Sequence, residues 1–200
     1  MPKIQALKVI FICPDHNEKY QKRKAHMVAL LEKIGFKDVI HFKSSAVKYP
    51  QCLTLATIEI LTQYNSEPIL LLEDDIEFTG VDTFDYVPDA DAIYFGISRS
   101  GGHPRQNTHL GGCKVVPYSA KQVRVMNMLT THAILYLSSA YKNAVIAQLR
   151  RNLLAHSDVM IARLQPNFKI LANKAPSFYQ AAHLNNGNHN IQKHTLIVFK

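Results

Sequence analysis

The sequence predicts a single α/β domain with a Rossmann-like, mostly parallel central sheet flanked by helices. Short apolar runs alternate with amphipathic segments through the first half of the chain, and the most apolar run ends in three consecutive acids. The 200 residues, 47% of them hydrophobic, suffice for one core but are too few to promise two. We therefore expect one domain over residues 1–200, with a polar C-terminal tail from about residue 181.

The first elements follow strand-helix alternation. Residues 9–13 are β-branched and aromatic and stop at Pro14, which predicts a buried first strand. Apolar residues at helical spacing over 27–34 predict a helix that packs back on this strand. Residues 39–42 predict a second strand, and a second amphipathic helix begins after Pro50.

The third strand, predicted at 69–72, runs directly into Glu73, Asp74 and Asp75. Ligands of open α/β sheets bind outside the carboxyl ends of the strands, so these acids are expected to border a crevice. Because side chains alternate along a strand, Glu73 and Asp75 should point one way and Asp74 the other. Such crowded carboxylates favour a hard divalent cation, completed by substrate phosphate oxygens. Acids at strand ends also serve as turn or capping residues, which is the alternative.

The second half departs from this alternation. The long loop at 98–112 is interpreted as a lid or binding loop, with simple disorder as the alternative. The remaining elements are predicted as strands at 92–97, 133–137 and 169–172 and helices at 141–149 and 158–164.

Composition limits the environment and the partners. The net charge of +8 favours phosphate-bearing partners, or reflects general solubility. Three widely spaced cysteines suggest neither a disulfide framework nor a zinc knuckle, and a reducing compartment fits best. The apolar run at 9–13 is too short for a signal peptide or a membrane span. We therefore expect a soluble, cytoplasmic protein with at most peripheral membrane association and no nucleic-acid partner.

The segment from Leu72 to Ile76, with the sequence Leu-Glu-Asp-Asp-Ile, resembles the metal-binding motif of one group of glycosyltransferases. The group contains procollagen galactosyltransferases, bacterial lipopolysaccharide glycosyltransferases and small enzymes of the GT-A fold encoded by large viruses of algae. Further similarity, in the family's order and over most of the chain, lies at Arg23, Gly35-Phe36, residues 131–138, residues 156–159 and residues 176–180.

This resemblance implies a GT-A fold and transfer of a hexose from a nucleotide sugar to a glycan or glycoprotein hydroxyl, with Mn²⁺ or Mg²⁺ as cofactor. A UDP-sugar donor is favoured, and a GDP- or TDP-sugar is possible. By the same resemblance Pro14 and Asp15 would lie beside the base and ribose. Asp75 would be the firmest metal ligand and Glu73 the second, with Asp74 nearer the sugar or ribose. The motif here begins with Glu73 where the family has Asp, which leaves the division of roles among the acids open.

Other polar residues are candidates for catalysis or binding. Asp158, at a predicted helix start and at an acidic position of the family pattern, is the candidate base for an inverting transfer; helix capping is its structural alternative. The resemblance also implies that the tail returns to the diphosphate, so His189, or less favourably His183, is a candidate ligand of metal or phosphate; an ordinary exposed histidine is the alternative. The candidates for clamping the diphosphate as the long loop closes are Arg99, Arg105 and Lys114, with a solvated surface role as the alternative.

Two other functions fit the same residues. Clustered acids on a basic protein also suit a metal-dependent nuclease or phosphodiesterase, although a second separated acid cluster for a two-metal site is missing from the sequence. A catalytically silent module that only binds nucleotide sugars is the non-enzymatic alternative.

Overall fold

The computed structural model describes residues 2–98, 113–181 and 183–184. The strands and helices of these residues, in chain order, are β1 Lys8–Ile12, α1 Glu18–Ile34, β2 Asp38–Phe42, α2 Gln51–Gln63, β3 Ile69–Leu72, β4 Ile76–Phe78, β5 Ala92–Tyr94, β6 Lys114–Pro117, β7 Gln122–Met126, β8 Ala133–Tyr136, α3 Ser139–Arg150, α4 Ser157–Ala162, β9 Ile170–Asn173 and β10 Phe178–Gln180. The predicted loop at 98–112, except Ser98, and the tail from 185 onward lie outside the described residues.

Eight strands form one sheet in the order β2-β1-β3-β8-β5-β9-β7-β6. β1 is parallel to β2 and β3, and β5 is parallel to β9. β8 is antiparallel to β3 and β5, and β7 is antiparallel to β9 and β6. Six strands therefore run in one direction, with β7 and β8 reversed. This arrangement confirms the predicted α/β class with a mostly parallel central sheet.

The core lies on both faces of the sheet. In β3, Ile69 and Leu71 pack in the cluster that contains apolar residues of α2, α3 and α4. Leu70 and Leu72 pack in the opposite cluster, with Met27 of α1. This alternation along β3 buries all four residues, and it sets which way the acids after the strand can turn.

Helix α1 carries a charged residue to the sheet edge. Its first turn is capped by the Asn17 side chain, which accepts a hydrogen bond from the backbone of Tyr20 at 3.0 Å. Gly35, with a φ of 91°, ends the helix in the left-handed conformation that glycine adopts without steric cost. The buried residues Arg23, Met27 and Leu31 recur every four positions and face the sheet. Arg23 is thus drawn into the interior at the helix end nearest the acids.

A second, two-stranded sheet completes this edge. β10 pairs antiparallel with β4, which places Gln180 opposite Ile76. Both strands were absent from the sequence prediction, as were β6 and β7. Among the described residues, no helix is long and apolar enough to cross a bilayer.

Candidate active-site cleft

A cleft of about 550 Å³ opens where β1 and β3 end. Its walls come from α1, the segment that leads into α2, the acids after β3, the segment before β8, the start of α4, and β10. Among the residues that line it are Pro14, Lys19, Arg23, Tyr49, Glu73, Asp74, Asp75, Thr131, His156, Asp158 and Gln180. All three acids of the predicted site therefore border one cavity.

The acid cluster is divided between two environments. Asp74 accepts a hydrogen bond from Arg23 Nη1 at 2.7 Å, and both side chains are about nine-tenths buried. Arg23 Nη2 lies 3.9 Å from Asp75 Oδ2 and also donates to the backbone carbonyl of Leu184. Asp74 is thus neutralised by α1, while its second oxygen, Oδ2, is buried and has no hydrogen-bond partner within the described chain.

Glu73 and Asp75 turn to a shared polar group instead. Gln180 Nε2 lies 3.4 Å from Glu73 Oε2 and 3.4 Å from Asp75 Oδ1. Thr131 donates its hydroxyl to Glu73 Oε1 at 2.5 Å. The backbone is fixed as well, because Ala181 N–H donates to the Asp75 carbonyl at 2.7 Å. Two carboxylates are therefore held side by side by neutral donors.

Electrostatics in the cleft disfavours charge on these two acids. Burial, and after it the neighbouring Asp75 carboxylate, raises the pKa of Glu73. Burial and the charge of Asp74 raise the pKa of Asp75, although Arg23 and Gln180 oppose the shift. Both carboxyl groups therefore resist ionisation, and a bound cation would favour their charged forms.

The chemistry of these donors fits a hard divalent ion. Glu73 and Asp75 present oxygen ligands, and Asp74 Oδ2 adds a buried oxygen without a partner among the described residues. The described residues contain no group of three or more His, Cys, Asp or Glu side chains arranged around one ion position. Mg²⁺ and Mn²⁺ need only one or two protein carboxylates when substrate phosphates and waters complete the shell. The protein would therefore supply part of the coordination shell, and the substrate and water would supply the rest.

The two predicted nucleotide-binding residues after β1, Pro14 and Asp15, differ in position relative to the cleft. Pro14 lines the cleft, whereas Asp15 lies outside its lining. The Asp15 carboxylate pairs with Lys43 at 2.7 Å, and this contact lowers the pKa of Asp15. Asp15 therefore lies outside the cleft, beside a shallow surface depression that Gln21 and Lys24 of α1 also line.

The candidate base lies on the cleft wall. α4 begins at Ser157 with His156 as its N-cap residue, so Asp158 occupies the first turn and not the cap. Burial raises the pKa of Asp158, although a hydrogen bond of 2.7 Å from the Val159 backbone opposes the shift. A partly buried carboxylate with a raised pKa is suited to accepting a proton.

The remaining candidates lie elsewhere. Lys114 begins β6 and is exposed, outside the cleft lining. His183 lies 3.9 Å from Glu77 and T-shaped against His26, also outside the lining. Arg99, Arg105 and His189 fall outside the described residues.

Several cleft residues were given no role by the sequence analysis. Arg23, Thr131 and Gln180 stood only within segments of family similarity, and Tyr49 was not singled out at all. One sequence signal could have pointed to Arg23: it lies four and eight residues before Met27 and Leu31, on the same face of α1. A charged residue on the inner face of a helix needs a partner.

Comparisons with known proteins show fold-level likeness only. No family model and no curated protein matches the sequence. A glycosyltransferase involved in glycosylation of the major capsid of PBCV-1 is 10% identical, with 82% of this chain and 80% of that chain covered and a TM-score of 0.49. The nucleoside-diphosphate-sugar pyrophosphorylase from Vibrio cholerae RC9 is 12% identical, with 84% and 72% covered and a TM-score of 0.46. A UDP-glucose pyrophosphorylase complexed with UDP-glucose is 10% identical, with 84% and 73% covered and a TM-score of 0.48. These values are too low to assign an activity, which has to come from the cleft.

Proposed function

We propose that this chain is a metal-dependent glycosyltransferase that moves a hexose from a nucleotide-diphosphate sugar, preferably a UDP-sugar, to a hydroxyl of a glycan or glycoprotein. The observation that carries the proposal is the pair Glu73 and Asp75, held side by side in the cleft by Gln180. The resemblance around Glu73-Asp74-Asp75 supports the same reading.

The carboxylates suit a cation that arrives with the donor. Glu73 and Asp75 would hold Mn²⁺ or Mg²⁺ together with diphosphate oxygens, and the bound ion would stabilise the charge that develops on the departing nucleoside diphosphate. Thr131 fixes one Glu73 oxygen at 2.5 Å, so the carboxylate cannot rotate freely. The exposed side chain of Lys19 on the same cavity would attract the diphosphate.

Asp158 is assigned as the base. A carboxylate on the cleft wall can accept the proton of an acceptor hydroxyl as that oxygen attacks the anomeric carbon. The attack displaces the nucleoside diphosphate from the opposite side, so the proposed reaction inverts the anomeric configuration. Its raised pKa brings Asp158 nearer to neutral pH, where proton acceptance and release are both effective.

The proposal is tested by turnover of a panel of UDP-, GDP- and TDP-sugars with Mn²⁺, with and without acceptor glycans. Wild-type protein should consume at least one donor, and Asp158→Asn should reduce transfer by about 10² to 10⁴ while leaving UDP affinity unchanged. Glu59→Gln, at an exposed position on α2 outside the cleft, is the matched control.

The same panel separates the alternatives. Consumption of no nucleotide sugar would count against the transferase. Metal-dependent UDP binding without turnover would indicate a silent binding module. Cleavage of DNA or RNA by a protein that UDP does not stabilise would indicate a phosphodiesterase.

A further inference from the structure

An exposed aromatic ring borders the cleft at the segment leading into α2. Tyr49 is 58% exposed, the most exposed of the described tyrosines, yet it lines the same cavity as Glu73 and Asp158. Exposing a tyrosine face costs the contacts that burial would supply, so an open ring on a cavity wall is available to a ligand.

The ring of Tyr49 contacts the imidazole of His156. Tyr49 Oη lies 3.2 Å from His156 Nδ1, within hydrogen-bonding distance. The two rings are 5.5 Å apart between centroids at an interplanar angle of 65°, an edge-to-face arrangement. His156 in turn is the N-cap residue of α4, two positions before Asp158. The aromatic pair is therefore tied to the element that carries the candidate base.

Charge divides the cavity. The exposed cation Lys19 belongs to α1, the helix on the opposite face of the sheet from α2 and α4, and Arg23 of the same helix is already paired with Asp74. Tyr49 instead shares the cavity wall with the carboxylates of Glu73, Asp75 and Asp158. An anionic diphosphate is favoured toward α1, whereas a neutral polyol that donates hydrogen bonds suits the acidic side.

We propose that Tyr49 and His156 form an acceptor platform on which the ring of a neutral hexopyranose stacks. The inference rests on the proposed glycosyltransferase function and names its acceptor as a sugar ring. The apolar C–H face of a pyranose would lie on the negatively polarised face of Tyr49, with its hydroxyls directed to the acidic wall. One hydroxyl is thereby brought toward Asp158.

In the proposed transfer, one bond forms and one bond breaks at the anomeric carbon. The acceptor oxygen forms a bond to the anomeric carbon, and its proton passes to Asp158. The bond between the anomeric carbon and the phosphate oxygen breaks, and the nucleoside diphosphate leaves with the electron pair. The platform orients the acceptor, so Tyr49 is a specificity residue and takes no proton.

Saturation-transfer NMR with the full chain, UDP and Mn²⁺ tests the platform. The probes are the methyl glycosides of glucopyranose, galactopyranose and mannopyranose, with the anionic methyl glucuronide as a charge control. At least one neutral glycoside should bind through its ring C–H protons, with the glucuronide weaker. Tyr49→Ala should weaken binding by about tenfold or more, and Tyr49→Phe should retain most of it.

Two further variants test whether the loss of glycoside binding is specific to the ring of Tyr49. Tyr86→Ala removes a tyrosine that is 51% exposed and outside the cleft, and it should bind the glycosides like wild type. His156→Ala should weaken glycoside binding less than Tyr49→Ala, since it loosens the ring without removing it. UDP affinity should stay within about twofold in every variant.

The outcomes separate the two proposals. If UDP binds but no methyl glycoside does, the platform is wrong and the donor site stands. If Tyr49→Ala weakens UDP as much as the sugars, Tyr49 stacks on the nucleobase and the platform is overturned. If glycosides bind through Tyr49 but UDP never binds, the chain has a sugar-binding site at Tyr49 that is not an acceptor platform, and the proposed transferase function falls with it.

Discussion

Arg23 Nη1 donates to Asp74 Oδ1 at 2.7 Å across 51 residues of sequence, and both side chains are about nine-tenths buried. This contact ties α1 to the turn after β3. It also occupies Asp74 Oδ1, so Glu73 and Asp75 are the carboxylates of this cluster that lack a close ion pair with a described residue.

Breaking this ion pair should destabilise the fold. Arg23→Met leaves the Asp74 charge buried without its partner, which typically costs about 3–5 kcal/mol. Arg23→Met combined with Asp74→Leu should cost less than the sum of the two single variants. Urea unfolding of the three variants measures this coupling.

Lys22→Met is the control for that cycle. Lys22 pairs with Glu18 at 2.7 Å on the outer face of the same helix. The two side chains are 75% and 81% exposed. Its removal should leave the urea midpoint unchanged within error, since exposed pairs contribute little. Equal losses at Arg23 and Lys22 would contradict the assigned burial of the Arg23–Asp74 pair.

Gly96 should not tolerate a side chain. A Cβ at this position would overlap the buried ring of His132, whose Nε2 lies within the space a methyl group needs. Gly96→Ala should therefore cost about 1–3 kcal/mol through overpacking. Thermal unfolding of Gly96→Ala, His132→Ala and the double variant checks the cause, because the double variant should lose less than the two singles combined. Additive losses would place the strain elsewhere.

His132 also makes stability depend on pH. Burial lowers the pKa of His132 to about 4, against 6.5 in the unfolded chain. Between pH 6.5 and 4, His132 binds a proton in the unfolded state but not in the folded state. The free energy of unfolding should therefore fall over this range, by up to about 3 kcal/mol. In His132→Phe this part of the acid dependence should vanish, as measured by urea midpoints at several pH values. Parallel pH profiles for the two proteins would contradict this account, because they would show that His132 has the same pKa in the folded and unfolded states.

The sequence predicted the first half of the fold well because its signals are local. β3 was predicted at 69–72 and spans Ile69–Leu72, since an unbroken apolar run is buried on both faces. β4 and β10 were missed because each has three residues, of which only the first is fully buried, so neither carries a readable period.

The site was accessible from sequence only in part. The three acids follow an apolar strand, so their position at the sheet edge could be inferred. Their separation into two environments depends on Arg23 and Gln180, which lie 51 residues before Asp74 and 105 after Asp75. Such contacts arise from topology, and no local pattern encodes them.

The most direct test of the account is thermal unfolding of wild type and Asp75→Asn with UDP, in the presence and absence of Mn²⁺. UDP should stabilise wild type only with Mn²⁺, by about 2.7 kcal/mol at a hundredfold excess over its Kd, and should fail to stabilise Asp75→Asn. The exposed-site variant Glu59→Gln should behave like wild type. Stabilisation by UDP that is equal with and without Mn²⁺, or equal in Asp75→Asn, would contradict a metal held by Glu73 and Asp75.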